Sequence, residues 1–227
     1  MRESLLRNLY CGRRLSMMQM AEALGTTHAT VLYWLKKYGI QRRSWSESTY
    51  VKRNPNGDPF SIPFKLTRRQ QDLMVGGLLL YWAEGNKRGS SLAIGNLDPR
   101  MLRLFLAFLR EVCFVDERRI SLFVRVHKQF SCSAARRFWS CQLGLPLARV
   151  FMYPHTDTRS KADEQWSPYG IATLQFSNTK LKAWLSTRIE RYIERQLQGG
   201  PRRYPERWLL RESDASQPYY AHNAILN

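Results

Sequence analysis

Acidic residues are scarce in this chain. Its 227 residues include 18 Asp and Glu against 36 Lys and Arg, a formal net charge of +18. The imbalance is not a basic tail on a neutral body: residues 1–66 carry 11 Lys/Arg against 4 Asp/Glu, and residues 67–227 carry 25 against 14. Charge of one sign repels itself unless a polyanion neutralises it, so nucleic acid or an anionic membrane is the expected partner. The plainer alternative is a solvated basic surface, although soluble domains usually mix both signs more evenly. Long apolar runs are missing too. The longest, Leu73–Ala83, is far short of the roughly 20 residues of a membrane-spanning helix. The opening MRESLLRNLYCGRR lacks the apolar centre of a signal peptide. No membrane partner is expected, and the expected location is cytoplasmic and nucleoid-associated. Cys11, Cys113, Cys132 and Cys141 form no C-x-x-C pair and the four histidines are scattered, which is poor spacing for structural zinc. Cys11 and Cys113 sit in apolar helical patterns and are expected to behave as small core residues. Reduced thiols fit a cytosolic protein.

Hydrophobic residues make up 44% of the chain, enough for a core. Residues 1–43 read as compact and helical. Residues 44–66, with SWSES, NPNGDP and SIP, read as a linker because of their turn formers. Residues 67–197 alternate helical and strand patterns, and residues 198–227 read as a C-terminal tail rich in Pro, Arg and aromatics. Within 67–197 the pattern predicts a helix at 67–84 capped by Thr67, a strand at 91–95, and a helix opened by Asp98-Pro99. A half-buried strand is expected at 120–126, a helix at 133–143, a strand at 171–176 and a long amphipathic helix at 179–197. Leu92-Ala-Ile94-Gly-Asn96 and Leu174-Gln-Phe176-Ser-Asn178 echo each other, each running from strand through Asn to helix. Two matched units would give a pseudo-symmetric layer; Asn is also simply a common cap.

The N-terminal segment carries the first motif, at residues 16–38. Leu15–Gly25 reads as a short helix with Met17, Met20, Ala21 and Leu24 on one face. Gly25 supplies the turn, and Thr26–Thr27 cap a second helix with Val31, Trp34 and Leu35 buried. The spacing Ala21, Gly25, Val31 fits a helix-turn-helix; the alternative is an ordinary helical hairpin. The candidate contacts to double-stranded DNA are Thr27, His28, Thr30, Tyr33, Lys36, Lys37, Arg42 and Arg43. His28, Thr30 and Tyr33 are placed to face base edges, and Lys36, Lys37, Arg42 and Arg43 to meet phosphates.

Residues 76–85 read GGLLLYWAEG. On a helix Gly76, Leu80 and Ala83 share a stripe, with Gly77 and Glu84 beside it. Glu84 falls at the helix C-terminus, where the dipole disfavours a carboxylate by roughly 0.3–1 kcal/mol. A cation should compensate: Lys87 or Arg88 on one account, a divalent metal on the other.

This stretch resembles the LAGLIDADG motif of homing endonucleases. SLAIGNLDPRMLRLFLAFLRE and LQFSNTKLKAW resemble the strand–Asn–helix units of the same family, so the resemblance covers about residues 67–197. It implies an α+β fold, with an N-terminal all-α helix-turn-helix followed by an antiparallel sheet and packed helices. It also implies a sheet lying in the major groove and a motif acid, here Glu84 followed by Gly85, that binds Mg²⁺ at the scissile phosphates and is catalytic. The family's glycine five residues before the acid is Leu79 here. Only one motif is evident, so a nuclease would need a homodimer, paired through the Gly76–Ala83 helix face. Non-cleaving bacterial transcription regulators that join such a domain to a helix-turn-helix supply the alternative. A third class, an RNA-binding or structural protein, would use Trp82, Trp139, Trp166, Trp184 and Trp208 to stack on bases; most fall in apolar patterns and read as core.

Overall fold

A computed structural model describes residues 1–156 and 167–197. It contains eight α-helices and a four-stranded mixed sheet among those residues, an α+β protein. The chain divides between Asp58 and Pro59 into two compact units.

In the first unit the helices are α1 (Glu3–Arg7), α2 (Met17–Ala23), α3 (His28–Lys37) and α4 (Trp45–Arg53), with a π-type turn at Asn8–Gly12. Ser16 caps α2 by accepting from the Gln19 amide, while the Gln19 side chain accepts from the Ser16 amide. That reciprocal box satisfies two amides that the first turn would leave without partners. It starts the helix at Met17, two residues later than the apolar pattern suggests. Gly25 (φ +59°) turns the chain between α2 and α3. Leu6, Leu9, Met20, Ala21, Val31, Leu35 and Ile40 close the unit's core. Cys11, expected in this core, is exposed, because the π-type turn rotates it away from the apolar side. The segment read as a linker at 44–66 holds α4. Ser44 and Glu47 form a second capping box, a Ser-x-x-Glu signal that the turn-forming composition around it obscured.

The second unit runs α5 (Arg68–Glu84), β1 (Ser91–Asn96), α6 (Pro99–Glu111), β2 (Ile120–His127), α7 (Cys132–Leu143), β3 (Val150–His155), β4 (Ile171–Ser177) and α8 (Thr179–Gln196). Thr67 caps α5 with Gln70, Asp98 and Pro99 open α6, and Asn178 caps α8. The sheet order is β1-β4-β2-β3. β4 pairs antiparallel with β1 (Ile94 opposite Leu174) and with β2 (Leu122 opposite Leu174). β2 and β3 are parallel, with Leu122 opposite Val150. The sheet is therefore mixed, not the antiparallel one expected. The cause is α7, which carries the chain back to the starting end of β2 before β3 begins, as a crossover between parallel strands requires. β3 lies at the sheet edge, where Pro154 is tolerated because no neighbour needs its missing amide.

One sheet face carries Leu92, Ile94, Ile120, Leu122, Val124, Leu174 and Phe176 into a core shared with α5, α6, α7 and α8, in which Trp139 and Cys113 are fully buried. α5 lies on α6 at its glycines: a Cβ on Gly77 would stand 2.2 Å from the Phe108 ring, so only glycine admits that ring. The glycine side of the Gly76–Ala83 face is thus taken by α6 of the same chain. The echoing asparagines have different roles. Asn178 caps α8 by accepting from the Leu181 amide, whereas Asn96 accepts from the Asp98 amide and leaves the cap of α6 to Asp98.

Candidate nucleic-acid interface

Burying Val31 and Leu35 turns the opposite side of α3 outward. Thr27, His28, Tyr33, Lys36 and Lys37 are exposed there and Thr30 is half-buried. The hydroxyls of Thr27 and Thr30 are already engaged: Thr27 Oγ1 accepts from the Thr30 amide at 3.2 Å and lies 2.9 Å from Thr30 Oγ1. Any contact from these two must share the capping bonds. Tyr33 is 57% exposed and packs edge-on against Trp34, whose indole carries Lys37 Nζ at 4.7 Å. Lys37 is held over a ring, while Lys36 extends freely as a point charge.

Arg42 is exposed. Arg43, expected on phosphate, is turned inward instead. Its guanidinium donates to the carbonyls of Tyr10, Arg14 and Leu15 and lies 4.1 Å over the Tyr10 ring, while its amide donates to the Tyr10 hydroxyl. The Tyr10 carbonyl of the π-type turn and the carbonyls of Arg14 and Leu15 just beyond it converge on one side, which suits the planar fork of a guanidinium. Arg43 is a structural tie in the first unit.

Glu84 and Gly85 lie in the second unit, at the end of α5. Glu84 is the last helical residue and is exposed, and among the described residues it makes no ion pair. The expected pairing with Lys87 is absent. Lys87 Nζ donates to the carbonyls of Tyr81 (2.8 Å) and Trp82 (2.6 Å) and so meets the helix dipole directly. Gly85 follows because a Cβ there would come within 2.3 Å of the Tyr81 carbonyl. Its φ of −75° is open to any residue, so space and not conformation demands glycine. Beyond it, Asn86 bonds the Ala93 backbone in both directions and accepts from the Tyr81 hydroxyl, which fixes the turn to β1. Lys182, 5% exposed, reaches across from α8 to donate to the carbonyls of Arg88 and Gly89, each at 2.9 Å. Burial, and then the neighbouring Lys87 ammonium, bring Lys182 down to about 8.

Mg²⁺ prefers about six oxygens in near-octahedral array, with one or two carboxylates among them. This chain offers the Glu84 carboxylate and the Gly85 carbonyl, and among the described residues no group of three His, Cys, Asp or Glu could hold a metal. The described residues of one chain do not by themselves form the metal site that the resemblance implies. Most of the ion's shell would have to come from outside the protein.

A further surface escaped the sequence reading. The sheet residues that alternate with the core side chains include Phe123, Arg125, Phe151, Tyr153 and Thr173, and the paired rings of Phe123 and Phe151 lie 5.4 Å apart. The period-2 pattern of β2 predicts that Phe123 and Arg125 face away from the core. Their neighbours become evident only once β3 is found and put in register. Of the five tryptophans considered as stacking residues, Trp139 is core, Trp184 is partly buried against the core cluster, and Trp82 is 46% exposed on α5; Trp166 and Trp208 lie outside the described residues, as does the tail at 198–227. No helix among the described residues is long and apolar enough to cross a membrane. Compared with known proteins, the chain matches no family model, no curated protein and no solved structure.

Proposed function

We propose that the chain is a site-specific double-stranded DNA-binding protein, with a helix-turn-helix at residues 16–38 and a LAGLIDADG-like domain over 67–197. The observation that carries this reading is α3. It buries Val31 and Leu35 against α2 across a glycine turn, and it exposes His28, Tyr33, Lys36 and Lys37 together, followed by Arg42. The first helical turns would read base edges, and Lys36, Lys37 and Arg42 would neutralise phosphates. The excess of 18 positive charges supports a polyanionic partner. The test is selection of duplexes from a random library, followed by Tyr33→Ala and His28→Ala on the selected site. Loss of sequence preference at one or two base pairs supports the reading; a library that yields no preferred duplex ends it.

A second reading, Mg²⁺-dependent cleavage, is favoured by the exposed Glu84 carboxylate, which has no described cation beside it while Lys87 is occupied with helix carbonyls. A homodimer would supply the second acid. With the glycine side of α5 taken by α6, such a dimer would use the outer side, where Val75, Leu79 and Trp82 are 37%, 39% and 46% exposed. Incubating the selected duplex with Mg²⁺ or Mn²⁺ decides between a nuclease and a non-cleaving regulator. Glu84→Gln should abolish any cleavage and leave binding intact; an uncut duplex leaves the regulator.

A further inference from the structure

The open face of the sheet combines features that a solvated face would not need. Phe123 and Phe151 are register partners on β2 and β3, with centroids 5.4 Å apart and planes 22° from parallel. Tyr153 joins them, 6.0 Å from Phe123. Arg125 stands opposite Tyr153, and His127 opposite His155 with the two imidazoles 5.8 Å apart. These three cross-strand pairs form a ladder, each step about 6.6 Å further along the strands. Phe151 is 39% exposed and Tyr153 54%. A depression of about 410 Å³ opens between Phe123, Arg125, Tyr153, Pro154, His155 and Thr173. No Asp or Glu occurs in any of the four strands, and Lys128 extends exposed from the end of β2.

Aromatic rings left in water on a pleated face are costly unless something flat covers them. A duplex cannot do so, because its bases already cover one another's faces and present only edges in the grooves. Unpaired bases present their π-faces, and a strand of them brings phosphates to Arg125 and Lys128. We infer that the open face of β2, β3 and β4 binds single-stranded nucleic acid, with unpaired bases stacking on Phe123, Phe151 and Tyr153. This site does not rest on the duplex reading of α3, and it departs from the LAGLIDADG resemblance, which implies that this sheet lies in a duplex major groove. A solvent-exposed arginine among rings also stacks on bases through its own planar guanidinium.

The test uses the full chain and labelled strands of about 15 nucleotides, within the usual single-strand site range: oligothymidylate, oligouridylate, and an abasic strand of equal charge. Base-bearing strands should bind at least about tenfold tighter than the abasic one, and Phe151→Ala and Tyr153→Ala should each weaken them by about 5- to 100-fold. Tyr153→Phe keeps the ring and should keep the affinity. Duplex affinity should be unchanged by all three. A preference for uridylate or thymidylate identifies the strand as RNA or DNA. Abasic binding as tight as the others, ring variants without effect, or a parallel loss of duplex binding would each overturn the proposal. Photocrosslinking of a halogenated strand to the unaltered protein gives an independent readout: crosslinks within 120–127 or 150–155 support the site, and crosslinks confined elsewhere refute it. Failure of the duplex reading would appear instead as Tyr33→Ala and His28→Ala variants that keep every sequence preference.

Discussion

The two units close their cores in the same way and expose opposite chemistry. The first buries one side of α3 and presents ammonium groups, an imidazole and a tyrosine edge on a convex helix. The second buries one side of its sheet and presents ring faces around a single guanidinium on a shallow surface. A narrow convex helix with polar tips suits a groove, where the information lies in donors and acceptors. A broad face of rings suits a flat ligand. Total charge does not distinguish the two units; the shape of what carries the charge does.

The largest expected effect tests the charge common to both. If α3 and its flanks meet six or more phosphates, duplex affinity should fall by about a thousandfold or more between about 50 and 200 mM salt. Fluorescence anisotropy across that range measures the slope. A flat profile would show that the basic surface has no phosphate partner.

Next comes the α5–α6 contact. Alanine at Gly77 gains about 1 kcal/mol of helix propensity. Its Cβ, however, would stand 2.2 Å from a fully buried Phe108 ring, and overpacking of that kind costs about 1–3 kcal/mol. The clash should prevail, and Gly77→Leu should be worse than Gly77→Ala. Calorimetry should show the second unit melting earlier and the first unchanged.

An effect of comparable size is expected from Arg43→Ala. It removes a charged donor from three carbonyls and should destabilise the first unit by about 1.5–3 kcal/mol. Arg42→Ala should leave stability alone and weaken every duplex equally. If the two variants behave alike in both assays, the distinction between tie and phosphate contact is wrong.

The smallest effect is a pH dependence. Lys182 is depressed to about 8 in the folded chain, against about 10.4 when unfolded. Between those values the unfolded chain holds the extra proton, so the contribution of Lys182 to stability rises with pH through that window. Cys113 opposes it: burial raises its thiol, so above about 8.5 the unfolded chain loses a proton that the folded chain keeps. Melting the wild type and Lys182→Met from pH 7 to 10 separates the two. The variant should lose the rise and keep the fall.

Most elements were legible from local signals. Thr67 with Gln70, Asp98 with Pro99, and Asn178 are caps readable from residue type and spacing alone, and the helices they open start within a residue or so of where the pattern puts them. The outward side of α3 followed from the period of Val31 and Leu35. The misses have particular causes. Ser44-Trp-Ser-Glu47 was lost among turn formers, although its capping box outweighs them. β3 is six residues long and contains Pro154, which locally argues against a strand and is tolerated only at a sheet edge.

The sequence by itself determined the charge, the caps at Thr67, Asp98 and Asn178 and the buried stripes, because charge is a matter of composition and the others depend on residues within a few positions of one another. Tertiary structure decided the rest. It made the sheet mixed by sending the chain through α7. It turned Arg43 inward onto carbonyls some 30 positions earlier and gave the end of α5 to Lys87, so that Glu84 pairs with no cation among the described residues. It set Phe123 beside Phe151 and Tyr153. Each depends on distant segments meeting in one register, and local propensity carries no information about which distant carbonyl, ring or strand will arrive.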